Sequence, residues 1–234
     1  MRDRGLSSFD LTHNFSLNTI YRLPQVISAG GPAAGLLNGW WISGILRTNS
    51  GFPFTPALAA NRSRSGVLGN QKGLDRPDLV PGIKAGNITN GVSRGCDVVP
   101  AGTPVGTPNL WFDPCAFTIP GDGFLGNAGR NIVRGPGLTN VDFSMAKDTA
   151  LSMLGESGKL EFRAEFFNVF NHANFASPEI GLGDTPSAAL VFPGSANEFA
   201  GGVLIPQPRL PSVGKILKTS TSSRQIQFSL KLLF

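Results

Sequence analysis

The chain ends in a segment where apolar and polar side chains alternate. Between residues 224 and 234 the apolar residues at every second position are Ile226, Phe228, Leu230, Leu232 and Phe234. The intervening positions hold Gln225, Gln227, Ser229, Lys231 and Leu233. Because successive side chains of a strand point to opposite faces, this period of two predicts a β-strand with one apolar face.

The same alternation occurs in four earlier segments, which are residues 9–21, 39–47, 140–147 and 159–166. The predicted strands are therefore about 8 to 13 residues long. Strands that cross a membrane need about 9–11 residues. Strands of soluble sandwiches are usually nearer 5–6 residues. We therefore predict an all-β fold, a sector of an antiparallel transmembrane β-barrel with about five long strands, too few to close.

Short and long connections alternate between these strands. Residues 148–158 form a short connection, whereas residues 51–139 and 171–223 form very long ones. Outer-membrane barrels have short periplasmic turns and long extracellular loops. With Phe234 at the periplasmic end, both long connections are extracellular. They are rich in Gly, Pro, Asn and Ser, and loops of this length are usually functional or disordered.

Charged residues lie on the polar faces of the predicted strands. The candidate lumen-facing charges are Arg47, Asp142, Glu161, Arg163, Glu165 and Lys231. We expect these charges to be satisfied across neighbouring strands. Paired carboxylates could also indicate a hydrolase, but no cleft or partner set accompanies them, so no enzyme is expected.

Composition narrows the class of protein. Charged residues make up 15% of the chain, which is low for a soluble domain, and Gly (30) and Pro (18) indicate many turns. The net charge of +5 is scattered without a basic run, so no nucleic-acid partner is expected. Residues 121–126 (GDGFLG) match the nucleotide-binding pattern G-x-G-x-x-G, but Pro120 precedes them and residues 127–129 (NAG) follow, so a glycine-rich loop is preferred and no cofactor or metal is expected. Trp40, Trp41, Tyr21, Phe167 and Phe170 lie near predicted strand ends, where membrane-interface aromatics are expected.

The two cysteines, Cys96 and Cys115, lie in one Gly- and Pro-rich stretch. Their spacing fits no zinc pattern. A disulfide that closes a surface loop is the preferred interpretation, and it requires an oxidising compartment. Two free thiols are the alternative. No apolar stretch typical of a secretory signal follows Met1, so we expect the parent protein to begin further upstream.

Several motifs, taken in order, resemble a known family. They are residues 111–117 (WFDPCAF), 125–131 (LGNAGRN), 134–137 (RGPG), 140–144 (NVDFS) and 162–172 (FRAEFFNVFNH), with residues 37–40 and 50–54 upstream. This set is similar to the C-terminal barrel region of Oar-like TonB-dependent receptors, which carry an N-terminal carboxypeptidase-regulatory-like domain. The resemblance covers most of the chain.

The resemblance implies an energy-coupled outer-membrane transporter with a plug and a barrel of about 22 strands. Residues 1–234 would then be the C-terminal portion of that barrel, without the plug and N-terminal domains. The expected partners are outer-membrane lipid, the missing part of the barrel and plug, the barrel-assembly machinery, and TonB through the absent N-terminal region. The expected location is the cell outer membrane of a Gram-negative bacterium.

The resemblance also gives the terminal strand a role. Ile226, Phe228, Leu230, Leu232 and Phe234 form a candidate assembly signal, because an unpaired edge strand is a template for strand addition. The alternative function is a secreted or surface-exposed β-rich domain for adhesion or carbohydrate binding, which would bury its apolar faces between two sheets.

Overall fold

The computed structural model of the chain describes residues 5–28, 30–59, 62–63, 75–151, 153, 155, 158–179, 188–192, 199–200, 203–204 and 208–234. The strands of these residues are β1 (Asn14–Arg22), β2 (Trp40–Asn49), β3 (Pro53–Phe54), β4 (Ala57–Leu58), β5 (Asp78–Leu79), β6 (Phe117–Thr118), β7 (Val133–Arg134), β8 (Leu138–Ala150), β9 (Lys159–Phe167), β10 (Leu190–Phe192), β11 (Phe199–Ala200), β12 (Val203–Leu204) and β13 (Gln225–Leu233). Helix α1 spans Pro32–Leu37, and short 3₁₀-helices span Ala85–Asn87 and Pro114–Ala116.

The chain divides into two compact units. The sheet unit contains Thr12–Ser50, Gly137–Asn174 and Ser220–Phe234. The loop unit contains Met1–Leu11, Gly51–Pro136 and Phe175–Thr219. The five long strands all belong to the sheet unit, and the two long connections between strands supply most of the loop unit.

The sheet unit is one antiparallel sheet with the strand order β1-β2-β8-β9-β13. Each long strand therefore pairs with the next long strand along the chain, in a meander. Pairing runs without a bulge along all four interfaces. The sheet is open in the described residues, because β1 and β13 each have a strand on one side only. The predicted all-β, antiparallel and unclosed architecture is confirmed.

The predicted start of the first strand was wrong. The alternation suggested residues 9–21, but β1 begins at Asn14. The reason is its partner: β2 ends at Asn49, which pairs with Asn14. Beyond that pair, the N–H of Ser50 donates to the carbonyl of His13 at 2.9 Å, and the ladder stops. Phe9 and Leu11 continue the alternation, but no strand among the described residues pairs with them.

The long connections, whose conformation the sequence left open, fold together as the loop unit around an apolar core. The most deeply buried side chains of that core include Leu58, Ile88, Phe112, Phe117, Val133 and Val191. Its strands are two or three residues long and pair as β3 with β7, β4 with β10, and β5 with β6. β11 pairs with β12. Outside these short strands, the backbone of the loop unit is held by hydrogen bonds within turns and by hydrogen bonds to side chains.

The connection between β1 and β2 contains α1, a helix of six residues with Pro32 at its first position. Proline is favoured there because the first helical N–H groups have no partner within the helix. Among the described residues, no helix is both long enough and apolar enough to span a membrane.

Candidate functional site

One face of the sheet is apolar across all five strands. Paired residues of an antiparallel ladder share a face, and the register lines up Leu17 with Leu46, Leu46 with Val141, and Phe143 with Phe166. Phe162 and Phe228 stack on the same face with ring centroids 6.4 Å apart. On β13 the side chains of this face are exposed, with Phe228 and Leu230 each at 67%.

The opposite face carries the charges that the alternation singled out. The register places all six candidates, Arg47, Asp142, Glu161, Arg163, Glu165 and Lys231, on this one face. Arg47 lies opposite Asn140 and Lys231 lies opposite Glu161. The sheet is therefore amphipathic in the sense expected of a barrel wall, with a polar face for the interior.

Arg163 is the centre of this polar face. Its guanidinium contacts Glu161 at 2.8 Å and Glu165 at 3.6 Å, both on its own strand. It also lies over the ring of Trp41, 5.2 Å from the centroid. Ala146 separates Arg163 from Trp41 in the register, and its small side chain leaves room for this contact.

The expected pairing across strands was therefore wrong for Arg163. Directly opposite Arg163 are Ala146 on β8 and Ser229 on β13, neither of which carries a negative charge. The carboxylates two residues before and after it on the same face are the nearest anions. Partly exposed pairs of this kind contribute about 0–1 kcal/mol each, so the cluster sets the charge of the wall more than its stability.

A turn after β9 organises the end of the sheet. Asn168 has a positive φ of 49° and is buried. Its N–H donates to Asp142 Oδ1 at 2.9 Å, and its Nδ2 donates to the carbonyls of His172 (3.0 Å) and Ser222 (3.1 Å). Its Oδ1 accepts the N–H of His172 at 2.9 Å. The backbone N–H of Asn168 thus links the turn to β8, and its side chain joins the segment after β9 to the segment before β13.

Asn171 and Asn174 complete this turn. Asn171, with φ 52°, accepts the N–H of Arg224 at 2.9 Å, just before β13 begins. Asn174 Oδ1 accepts the N–H of Thr139 at 2.7 Å. The alternation could not reveal these residues because they follow the strand. The available signal was the residue type, since asparagine tolerates the left-handed region better than other side chains.

The terminal strand lies at an edge of the sheet. β13 pairs with β9 from Gln225 to Leu233, and its other side has no strand partner among the described residues. Ile226, Phe228, Leu230 and Leu232 all point to the apolar face, and Phe234 follows the last paired residue with its ring exposed. The candidate assembly residues thus form one continuous apolar row.

The motif at residues 111–117 forms the centre of the loop unit. Phe112 and Phe117 are fully buried and pack edge to face at 6.1 Å. Asp113 caps the 3₁₀-helix that follows by accepting the N–H of Cys115 at 3.1 Å. It also accepts the hydroxyl of Ser93 at 2.8 Å and the N–H of Arg94 at 3.3 Å.

Cys96 and Cys115, the pair singled out in the sequence, are joined in a disulfide. The bond packs against Val99, Val105 and Leu110, which form a second small apolar cluster in the loop unit. The disulfide therefore closes the loop from residue 96 to residue 115 and fixes Cys96 to the motif at residues 111–117.

Arg209 holds the same region from the second long connection. Its guanidinium pairs with Asp97 at 2.6 Å, donates to the carbonyl of Phe117 at 2.6 Å, and lies 4.7 Å from the ring centroid of Phe192. Burial raises the pKa of Asp97, but the backbone N–H and the guanidinium of Arg209 outweigh that effect. The pKa of Asp97 therefore lies below its usual value.

A cavity of about 430 Å³ opens on the loop unit beside this motif. The residues that line it are Ile83, Asn87, Asn90, Gly91, Val92, Arg94 and Asp113. The lining combines Asn and Arg residues with the apolar residues Ile83 and Val92, a mixture suited to a polar ligand. Within the described part of the chain, no three metal-binding side chains come together.

Comparison with known proteins identifies a matching family. A family described as "Outer membrane beta barrel domain" matches residues 1–227. No curated protein matches the chain, and neither does any solved structure.

Proposed function

Since the chain belongs to the outer membrane β-barrel domain family, we propose that it is the C-terminal sector of an Oar-like TonB-dependent receptor of a Gram-negative bacterium. Family membership places the protein in the outer membrane, in association with lipid. In the proposed parent protein, a plug and further strands complete the barrel, and TonB supplies energy for uptake of a solute. The proposal assigns the chain no catalytic role and no cofactor.

The observation that carries the proposal is the folded loop unit. Both long connections join strands at one end of the sheet, the end with Asn49, Leu138, Phe167 and Gln225. They fold around a core and a disulfide instead of remaining simple loops. A large, ordered extracellular portion is what a receptor needs to select its solute before uptake. The receptor-like motif at residues 111–117 supplies the centre of that portion.

The native polypeptide that carries these residues tests the proposal. It is purified from outer membranes, and its mass, N-terminal sequence and binding to the periplasmic domain of TonB are measured. We expect a polypeptide several times longer than 234 residues that includes a plug and binds TonB. A polypeptide of 234 residues that inserts in the outer membrane and does not bind TonB would overturn the proposal.

The proposal also assigns β13 to recognition by the barrel-assembly machinery. Phe234→Ala should lower the amount of barrel in the outer membrane, because Phe234 ends the apolar row that the machinery would read. Leu233→Ala is the matched control, since Leu233 lies on the polar face. The readout is the folded fraction in isolated outer membranes. Equal losses in the two variants would argue against a specific signal.

The cavity beside Arg94 supports a second candidate function, binding of a carbohydrate at the cell surface. Asn87 and Asn90 supply amide groups, and Val92 supplies an exposed apolar surface. Arrayed glycans are the probe. An Asn87→Ala, Asn90→Ala variant should lose binding that the unchanged protein shows, whereas no binding by the unchanged protein would exclude this function.

A further inference from the structure

The connection between β1 and β2 combines absence of charge with exposed apolar side chains. No charged residue occurs between Arg22 and Arg47. Within the connection, Val26 is 68% exposed, Leu36 66% and Leu37 46%. Aliphatic side chains of this size are costly to leave in water, so this surface needs a partner.

Two contacts place the end of α1 on the apolar side of the sheet. The indole Nε1 of Trp40 donates to the carbonyl of Leu36 at 3.0 Å. The ammonium of Lys147 donates to the carbonyl of Asn38 at 2.6 Å. Trp40 and Lys147 are paired in the register and belong to the apolar face. The connection therefore continues the apolar face beyond the ends of the strands.

Asn38 gives the connection a defined shape. Its Oδ1 accepts the N–H groups of Val26 (2.8 Å) and Ile27 (3.2 Å), and its Nδ2 donates to the carbonyl of Ile27 at 2.8 Å. These three bonds hold Val26 beside the end of α1. The apolar side chains are thus presented together by a folded segment.

Lys147 indicates where this segment lies relative to the membrane. It is a charged side chain on the apolar face, and it is 9% exposed. The ammonium is covered by the Asn38 carbonyl and by the Trp40 ring, 5.6 Å from the centroid. Lysines and tryptophans of membrane proteins gather at the boundary between headgroups and acyl chains.

We propose that residues 23–28 and 30–39 are an interfacial lipid anchor, which inserts Val26, Leu36 and Leu37 at the headgroup–acyl boundary of the leaflet nearest Trp40. The occupant is lipid because the segment is continuous with the apolar face, and family membership makes that face lipid-facing. A short uncharged helix beside a Trp–Lys pair has the chemistry of a segment that lies in the membrane plane. The inference depends on the barrel and not on TonB.

The test uses single labels in the full-length protein as the cell makes it, reconstituted in vesicles of phosphatidylethanolamine and phosphatidylglycerol. Within residues 1–234 the two cysteines, Cys96 and Cys115, are joined to each other. Any cysteine elsewhere in the full-length protein is first replaced by serine, so that a thiol-reactive fluorophore reads only an added cysteine. The variants are Leu36→Cys for the anchor, Leu17→Cys for the apolar face of β1, and Phe124→Cys for an exposed turn of the loop unit. Quenching is measured with nitroxide lipids of different depth and with aqueous iodide.

We expect the label at Leu36 to be quenched most by nitroxides near the headgroup, at least about two-fold more than the label at Phe124. The label at Leu17 should respond most to deeper nitroxides. Quenching of the Leu36 label by iodide but not by the nitroxide lipids would overturn the anchor. Protection of this label from iodide and from the nitroxide lipids would also overturn it and would indicate a protein partner. If the Leu17 label also escapes lipid quenching, the lipid-facing assignment of the sheet itself fails.

Discussion

Asp113 is a carboxylate with 3% exposure in a region held mostly by irregular backbone. Ser93, Arg94 and Cys115 all donate to it. A carboxylate can be buried only if hydrogen bonds replace its water. This residue therefore joins two separate pieces of loop, residues 93–94 and residues 113–115, into one structure.

Asp113→Ala should destabilise the loop unit by about 2–4 kcal/mol, because buried donors lose a charged acceptor. Lys84→Ala is the control, since Lys84 is an exposed side chain in the same unit. Denaturant unfolding with the disulfide intact measures both. A loss no larger than that of the control would mean that Asp113 does not organise the motif.

Asp97 gives the loop unit a dependence on acid. Because its pKa in the folded state lies below the reference value of 3.8, its contribution to stability is complete above that pH and is lost as the pH falls through the folded pKa. Asp97→Asn should remove this part of the acid sensitivity. Unfolding midpoints measured from neutral pH down to acid should converge for the two proteins below the folded pKa. Parallel curves would contradict the expectation.

At the scale of elements, the long strands follow from local pattern and the loop unit does not. A period of two is visible within ten residues, so all five strands could be predicted. The core of the loop unit takes Leu58, Phe112 and Val191 from distant segments of the two connections, where the strands are only two or three residues long. No local period marks such residues. The start of β1 was missed for a related reason, since it depends on where β2 ends.

The turn after β9 offers a paired test of backbone and side chain. Asn168→Gly keeps the positive φ but removes three side-chain bonds, whereas Asn168→Ala removes the bonds and adds backbone strain of about 1–3 kcal/mol. We expect Ala to be the more damaging of the two. His172→Ala is the control, because the His172 side chain is exposed in the same turn and its bonds to Asn168 are made by its backbone. Urea resistance of the membrane-inserted protein ranks the variants, and equal Ala and Gly values would exclude strain at Asn168.

At the scale of the whole molecule, the two faces of the sheet unit face different solvents. One face is apolar over five strands, and the other carries the six charges around Arg163. This division is what lipid on one side and a polar interior on the other require.

Adjacent residues of β2 test this division. Leu46→Lys places a charge on the apolar face and should cost about 2–4 kcal/mol of insertion at mid-membrane depth. Ile45→Lys places the same charge on the polar face, opposite Asp142, and should be tolerated. The measurement is the fraction of each variant that inserts in vesicles. Similar insertion of both variants would refute a lipid-facing assignment for either face.

The unbroken register of the five strands also limits how the gene can change. The strands have no bulge that could absorb an extra residue. Insertion or deletion of one codon within a strand therefore moves every later residue of that strand to the opposite face of the sheet. Leu46 and its neighbours would then turn inward while Arg47 turned to lipid. Length variation among descendants of this gene should therefore be confined to the connections, and strand codons should change by substitution alone.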